Sequence, residues 1–263
     1  MRSVRELSDL GGRRVLLTGG AGHIGLAAAE SVIELGASVV ILDVDARACQ
    51  ERAAALGPRV LPLPCDLSNE EAARSAVRRA TEMLGGLDIL IHCAAYVGTT
   101  RAPGWAVPFE QQSVAAWDNA LRVNLTAAFV MAQEGRAALS ASGYGSIVLF
   151  ASTYGLVGPD MGLYADTDLA NPVAYGVSKG GLIQLTRYLA TVMAPGVRVN
   201  AIAPGGVSRG QPDAFRRRYE TRTPLKRMAF EEDLKGAVAY LASDLSSYVT
   251  GHTLVVDGGW TAW

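Results

Sequence analysis

Lysine is nearly missing from this chain of 263 residues: Lys179, Lys226 and Lys235 stand among 24 basic residues, so almost all positive charge is arginine. The charges nearly cancel, to a formal net charge of −1, which excludes bulk attraction to nucleic acid or to an acidic membrane surface. Cysteine is scarce as well. Cys49, Cys65 and Cys93 show no metal-ligand or redox spacing, and an odd number cannot pair off completely in internal disulfides. No metal site is expected, and a reducing cytoplasm is the expected compartment. No apolar run is long enough to span a bilayer. Met1–Leu10 alternates charge and lacks the apolar core of a signal peptide. Repeats and low-complexity linkers are lacking too, so one domain over residues 1–263 is expected, long enough to bury a substantial core.

What is present starts with Val15-Leu-Leu-Thr-Gly-Gly-Ala-Gly-His-Ile-Gly25, followed by a helical stretch and then Val39-Val-Ile-Leu-Asp43. A buried strand enters a glycine loop, the loop opens a helix, and a second strand ends in a carboxylate. In that context Gly20-x-Gly22-x-x-Gly25 reads as a dinucleotide site. The expected roles are a tight turn at Gly20, close backbone approach to a pyrophosphate at Gly22, and close helix–strand packing at Gly25. The helix N-terminus offers free N–H groups and partial positive charge to phosphates. Asp43 can accept from the adenosine ribose hydroxyls and would repel a 2′-phosphate, so NAD is expected over NADP.

Strand and helix patterns alternate along the chain. Strands are expected at 15–18, 38–42, 60–64, 88–93, 146–150, 197–202 and 253–257, and helices at 24–35, 47–56, 68–84, 114–138, 173–193 and 233–242. Ser68-Asn-Glu-Glu71 fits a capping box opening the third helix. Strands rich in Val, Ile and Leu between helices imply an α/β, doubly wound single-domain Rossmann fold: a seven-stranded parallel sheet with helices on both faces. Ligands bind such sheets outside the carboxyl ends of the strands. The glycine loop, Asp43, Asp66, Ala94, Ser152 and Pro204-Gly205 all fall there.

Tyr175 and Lys179 are spaced i, i+4 near the start of a helix and so share one face. A tyrosine, with an ordinary pKa of about 10, is too weak a base at neutral pH, and a neighbouring ammonium favours its phenolate. Placed after Ser152 and behind a dinucleotide loop, the pair reads as catalytic.

At this point the chain resembles the short-chain dehydrogenase/reductase family, over nearly its whole length. The matching pieces are Thr18-Gly19…Gly25, Asp43, Cys65-Asp66-Leu67, Asn124 in Val-Asn-Leu, Ser152, Tyr175-Gly-Val-Ser-Lys179, Asn200-Ala-Ile-Ala-Pro-Gly205 and Thr250-Gly251…Val256-Asp257-Gly258-Gly259. The resemblance implies reversible hydride transfer between a nicotinamide and a carbonyl or alcohol carbon. It makes Tyr175 the proton donor or acceptor, and gives Lys179 the nicotinamide ribose and the lowering of the tyrosine pKa. Ser152 would bind the reacting oxygen, and Asn124 would hold a water relaying protons from Lys179. It implies cofactor contacts from Thr18, Gly19, Gly20, Gly22, His23, Ile24, Gly25, Asp43, Asp66, Leu67, Ala94, Tyr175, Lys179, Pro204, Gly205 and Val207.

Three departures stand out. His23 replaces a glycine of the family's compact branch, although the region after Lys179 is too short for the extended branch. His92-Cys93-Ala94-Ala95 replaces Asn-Asn-Ala-Gly, which puts hydrogen bonding at the sheet end in question; His92 reads as a core histidine and Cys93 as a small buried hydrophobe. Arg209 stands near the position of a threonine that commonly follows Pro-Gly.

The interval from Ser152 to Tyr175 is unusually long for the family, and its extra residues lie in Gly158–Pro172. This segment is expected to form a wall or lid at 156–172, with Asp160, Tyr164, Asp166 and Asp168 available to bind hydroxyls or an amine. A solvated loop with turn-forming Asp and Asn is the plainer alternative. A second lid is expected at 206–228, carrying Arg209, Arg216, Arg217, Arg218, Arg222, Lys226 and Arg227. These side chains suit a phosphate or carboxylate, or form a solvated helical face. The leading expectation is a small-molecule substrate that is sugar-derived or otherwise polar. A 3-oxoacyl-(acyl-carrier-protein) reductase is the alternative enzyme, and a non-catalytic NAD(H)-binding regulator the alternative of another class. The resemblance implies a homotetramer or homodimer built on the helices of Asn124 and Tyr175 and the last strand. The small residues at Gly180-Gly181 would allow close approach, and Trp260, Trp263, Val255 and Val256 would lie at or near the contact.

Overall fold

The computed structural model describes residues 1–98 and 100–263. After a short helix α1 (Val4–Ser8), the chain runs through β1 (Arg14–Thr18), α2 (His23–Glu34), β2 (Ser38–Asp43), α3 (Ala46–Leu56), β3 (Val60–Pro64), α4 (Glu70–Leu84) and β4 (Ile89–His92). The second half holds α5 (Val114–Leu121), α6 (Ala127–Ala141), β5 (Gly145–Phe150), α7 (Val173–Met193), β6 (Val197–Pro204), α8 (Asp213–Arg222), α9 (Lys235–Ala242) and β7 (Thr253–Val256). The seven strands form one parallel sheet in the order β3-β2-β1-β4-β5-β6-β7. Strand order reverses between β1 and β4, and the crevice that opens there is where a doubly wound sheet binds ligands.

Alternation along each strand divides the core in two. Leu16, Val40 and Leu42 face the layer of α4, α6 and α7 and pack with Val77, Met131 and Leu182. Leu17, Val39 and Ile41 face the layer of α2, α3 and α9 and pack with Val32, Ala53 and Val238. Both faces are covered, so the strands read as continuous apolar runs.

Three expected elements differ. Ser68 does not cap α4: the Asp66 carboxylate accepts from the Ser68 N–H at 2.9 Å and holds it in the loop, and Asn69 is the cap, accepting from the Ala72 N–H. The helix expected at 114–138 is α5 and α6 joined by a π-turn over Arg122–Thr126, which carries Asn124. The start expected at Asp233 is a 3-10 turn, Glu231–Leu234, before α9. Helix α8, within the second expected lid, and α1 are additions.

Apart from the sheet, a small third core joins the two lids to the C-terminus. It contains Leu163, Phe215, Tyr219, Met228 and Trp260, with Tyr164 packed against it. Trp260 is stacked on Tyr219 with ring centroids 4.4 Å apart, so it packs within the chain; Trp263 is 72% exposed. Gly180 and Gly181 likewise serve contacts inside the chain. A Cβ on Gly181 would stand 2.6 Å from the Leu125 side chain, and Gly180 faces Gly155.

Candidate active site

The crevice is built first by backbone. Gly19, with φ of 69°, makes the tight turn expected of Gly20, and a Cβ there would stand 2.8 Å from the Ala94 nitrogen. A Cβ on Gly25 would overlap the Gly19 carbonyl oxygen, so α2 can approach the loop only with glycine at that position. Gly22 is the N-cap of α2 and has no side chain to cap it. By contrast, α3, α4 and α5 are capped by the side chains of Asp45, Asn69 and Ser113. The N–H groups at the start of α2 are thus left for an anion, the arrangement that suits a pyrophosphate.

Asp43 ends β2, and its carboxylate accepts from the Ala21 N–H at 3.0 Å and the Asp45 N–H at 3.2 Å. With acceptor capacity remaining on both oxygens, it lines a cavity of about 540 Å³ together with Gly19, Gly22, His23, Asp66 and Leu67. These residues fit the adenosine half of a dinucleotide.

The sheet end questioned by the loss of Asn-Asn-Ala-Gly is held by Thr18 and His92. The Thr18 hydroxyl accepts from the Cys93 and Ala94 N–H groups and lies 3.0 Å from His92 Nδ1. His92 is fully buried, and its Nε2 has no partner. Burial, and then the Lys179 charge, push its pKa down to about 4, so the ring is neutral and structural.

Ser152, Tyr175 and Lys179 converge on a second cavity of about 340 Å³, which also receives Pro204, Gly205 and Val207. Ile24, Cys93, Val97 and Arg209 line both cavities, so the two adjoin. Burial raises the Tyr175 pKa, while the Ser152 hydroxyl and, more weakly, the Arg209 charge oppose that rise. The Lys179 ammonium donates to the Phe150 carbonyl at 2.6 Å and lies 5.7 Å from the Tyr175 ring centre; burial lowers its pKa to about 8. Burial is thus the largest influence on the tyrosine proton in the protein alone, where no nicotinamide charge stands beside it.

Asn124 is fully buried on the π-turn. Its Oδ1 accepts from the Tyr96 N–H at 2.7 Å, and its Nδ2 donates to the Tyr96 carbonyl and the Ser178 hydroxyl. This side chain is committed to protein partners, which leaves only its backbone carbonyl for the expected water relay. A π-turn, by interrupting the regular ladder, is suited to release such a carbonyl.

The two lids bind each other. Asp160 pairs with Arg222 at 2.5 Å and Asp166 with Arg218 at 3.3 Å, while Arg218 also donates to the Ala165 carbonyl. Elsewhere Arg216 meets Asp213, Arg227 meets Asp233, and Lys226 donates to the Thr221 carbonyl. Asp160 and Asp166 are thus taken up by the arginines that were expected to read an anion. Arg209, paired with Glu231 at 3.0 Å, is the member of that cluster at the crevice. Sequence reasoning did not single out Tyr154 and Asn171, which with Tyr164 line the cavity of Ser152, Tyr175 and Lys179; their signal was only proximity to Ser152 and Tyr175. On its outer side the insertion borders a wider hollow of about 930 Å³, where Asp168 lies.

Comparison with known proteins places this geometry among oxidoreductases. A family model described as enoyl-(acyl carrier protein) reductase matches residues 19–261. The chain is 36% identical over 258 residues to cis-4-hydroxycyclohexanecarboxylate dehydrogenase of Sinomonas cyclohexanicum, covering 95% of this chain and 97% of that protein. It is 32% identical over 262 residues to an L-rhamnose 1-dehydrogenase (NAD(P)(+)) of a Sphingomonas species, covering 95% and 96%. A crystal structure of a short-chain type dehydrogenase/reductase from Mycobacterium marinum superposes with a TM-score of 0.86 at 31% identity, covering all of both chains.

Proposed function

The chain belongs to the short-chain dehydrogenase/reductase family and is a nicotinamide-dependent oxidoreductase of CH–OH groups, and from that premise we propose that it interconverts a secondary alcohol and its ketone on a compact polar molecule, preferring NAD(H) to NADP(H). The observation that carries this reading is the convergence of Ser152, Tyr175 and Lys179 where the two cavities adjoin.

A nicotinamide held in this crevice would supply the hydride acceptor for oxidation of the carbinol carbon, and the hydride donor for the reverse reaction. The residues of α2's N-terminus would hold the pyrophosphate and Asp43 the adenosine ribose, with Asp66, Leu67 and Ala94 nearby. Lys179, Pro204, Gly205 and Val207 would hold the nicotinamide side. Ser152 donates a hydrogen bond to the reacting oxygen. Tyr175 takes its proton during oxidation and returns one during reduction. Lys179, kept cationic below a pH of about 8, supports the phenolate by charge. The Asn124 carbonyl would hold, as acceptor, a water that passes protons between Lys179 and solvent.

The relatives' substrates, a hydroxylated ring acid and a sugar, support a small hydroxylated substrate. The description of the matching family model favours an acyl thioester as the second reading. Exposed Val173, Val177 and Tyr188 on α7 and Phe129 on α6 support a homo-oligomer built on these helices. Three free cysteines support a reducing compartment; no described helix is long and apolar enough to cross a membrane.

The test is nicotinamide absorbance against two panels. One holds polyols, sugars and hydroxy acids with NAD⁺; the other holds 3-oxoacyl thioesters with NADH and NADPH. Oxidation in the first panel upholds the reading, and turnover confined to thioesters with NADPH replaces it. Tyr175→Phe should lower turnover by about 10²- to 10⁴-fold while cofactor binding persists. Asp43→Arg should shift preference toward NADP(H), and equal wild-type affinity for both nucleotides would defeat the assignment of Asp43.

A further inference from the structure

Ser152, Tyr175 and Lys179 act at the reacting carbon and leave open what the rest of the substrate presents. Three polar side chains in the same cavity have no part in that chemistry. Tyr154 lies in the 3-10 turn Thr153–Gly155, Tyr164 ends the 3-10 turn Met161–Tyr164 of the insertion, and Asn171 stands two residues before α7. The Tyr154 and Tyr164 hydroxyls are 2.9 Å apart, and Asn171 Nδ2 donates to the Tyr164 hydroxyl at 3.1 Å. The cluster is close enough to Tyr175 that Tyr164 disfavours its phenolate.

A tally of donors and acceptors leaves a remainder. Whichever tyrosine donates to the other, one phenolic proton has no acceptor in the protein, and neither has Asn171 Oδ1 a donor. With the amide oxygen and nitrogen exchanged, Tyr164 donates to Asn171 and Tyr154 to Tyr164, so the spare donors become the amide protons and the spare acceptor the Tyr154 oxygen. Asn171 Oδ1 has no partner and is not sealed from solvent, a state that among the described residues belongs to His92 Nε2 alone, so it is reachable from the cavities that all three residues line. A spare donor beside a spare acceptor complements a hydroxyl, which both donates and accepts. A carboxylate offers only acceptors, and a methyl group neither. The adjoining wall, formed by Leu169, Phe215 and Met228, is apolar and suits the carbon skeleton of a ring.

We propose that Tyr154, Tyr164 and Asn171 form a subsite for a second hydroxyl, and that the substrate is a compact ring alcohol with at least two hydroxyls, one oxidised at Tyr175 and the other held here. The proposal rests on the alcohol-oxidising reading above and narrows it. The subsite exists because the insertion brings Tyr164 and Asn171 to the cavity. Its position is fixed by the Asp160–Arg222 and Asp166–Arg218 pairs and by Tyr164 packed edge-on to Phe215. Holding the groups in place beforehand reduces the ordering cost of binding.

The experiment compares the wild-type enzyme with Tyr164→Phe and Asn171→Ala, using NAD⁺ with cyclohexanol and with the 1,2-, 1,3- and 1,4-cyclohexanediols. One of the diols should exceed cyclohexanol in kcat/KM by about tenfold or more, the worth of one or two well-formed hydrogen bonds. Each variant should lose about tenfold on that diol, mainly through KM, and less than about twofold on cyclohexanol. Equal losses on both alcohols would mean that the side chains only support the fold and would overturn the subsite. So would a wild type with no preference for any diol. Tyr164→Phe keeps the ring on Phe215, and its melting temperature should match wild type. If no alcohol is oxidised, the alcohol-oxidising reading itself fails, and the subsite is then read by binding. In that case the NADH-loaded protein is titrated with the same alcohols and followed by nucleotide fluorescence. A diol preference removed by Tyr164→Phe supports the subsite; equal binding of diols and cyclohexanol overturns it.

Discussion

The two halves of the crevice are held by different kinds of force. On the β1 side the glycine loop is defined by backbone against backbone: Gly19 against Ala94, Gly25 against the Gly19 carbonyl, and a helix start left uncapped. On the β6 side the insertion and α8 are held by side chain against side chain, through a five-residue apolar core and ion pairs on half-exposed arms. The first arrangement has almost no tolerance, and the second has many ways to relax. A half that must fit one dinucleotide can be rigid in its backbone. A half held by side chains can be rebuilt by exchanging them without disturbing the sheet.

Substitutions at the two halves should separate these roles. The largest effect is expected from Gly25→Val, whose side chain would enter the Gly19 carbonyl. It should lose about 3 kcal/mol or more of stability together with nucleotide binding, measured by denaturant unfolding and by nucleotide titration. A variant that still binds NADH normally would show that the loop can yield. Trp260→Ala should cost about 3 kcal/mol in the lid core, since it removes the partner stacked on Tyr219. Nucleotide affinity should survive while the KM for substrate rises; loss of both together would mean that the halves are not separable.

His92 tests the seam between them by pH. Its folded pKa of about 4 lies below the ordinary value, so on acidification the unfolded chain binds a proton that the folded chain refuses. Stability should fall as pH drops from about 6.5 toward about 4, by on the order of 3 kcal/mol at about 1.4 kcal/mol per unit. The wild type minus His92→Asn difference should carry that slope, and identical acid profiles would remove His92 as its source. The smallest effect is expected from Asp160→Asn. Its ion pair with Arg222 is partly exposed, so the loss should be about 0.2–1 kcal/mol, reduced further by salt. A loss of several kcal/mol would mean that the insertion depends on its charges more than on its core.

Legibility followed the range of the interactions. Strand β3 at 60–64 and helix α7 at 173–193 lie where the pattern and the flanking Gly and Pro place them, because periodicity and chain breakers act locally. The cap of α4 shifted by one residue, since Ser68, Asn69 and Asp66 all compete for the same backbone groups. The π-turn at Asn124 carries no proline or glycine to announce it. Gly20 and Gly19 exchanged roles because spacing alone does not say which glycine has positive φ.

Sequence by itself determined the parallel sheet, the dinucleotide crevice and the residues gathered at its rim, because each is written in short motifs on a repeating β–α pattern. Tertiary structure alone decided which charges were available for recognition. Asp160 and Arg222 are 62 positions apart, and each read separately as a group for substrate; folded, they neutralise each other and hold the wall. It likewise placed Trp260 inside the chain and brought Tyr164 and Asn171 to the cavity of Ser152 and Tyr175. Partnership across such distances is set by how the loops close over the sheet, and no local spacing encodes it.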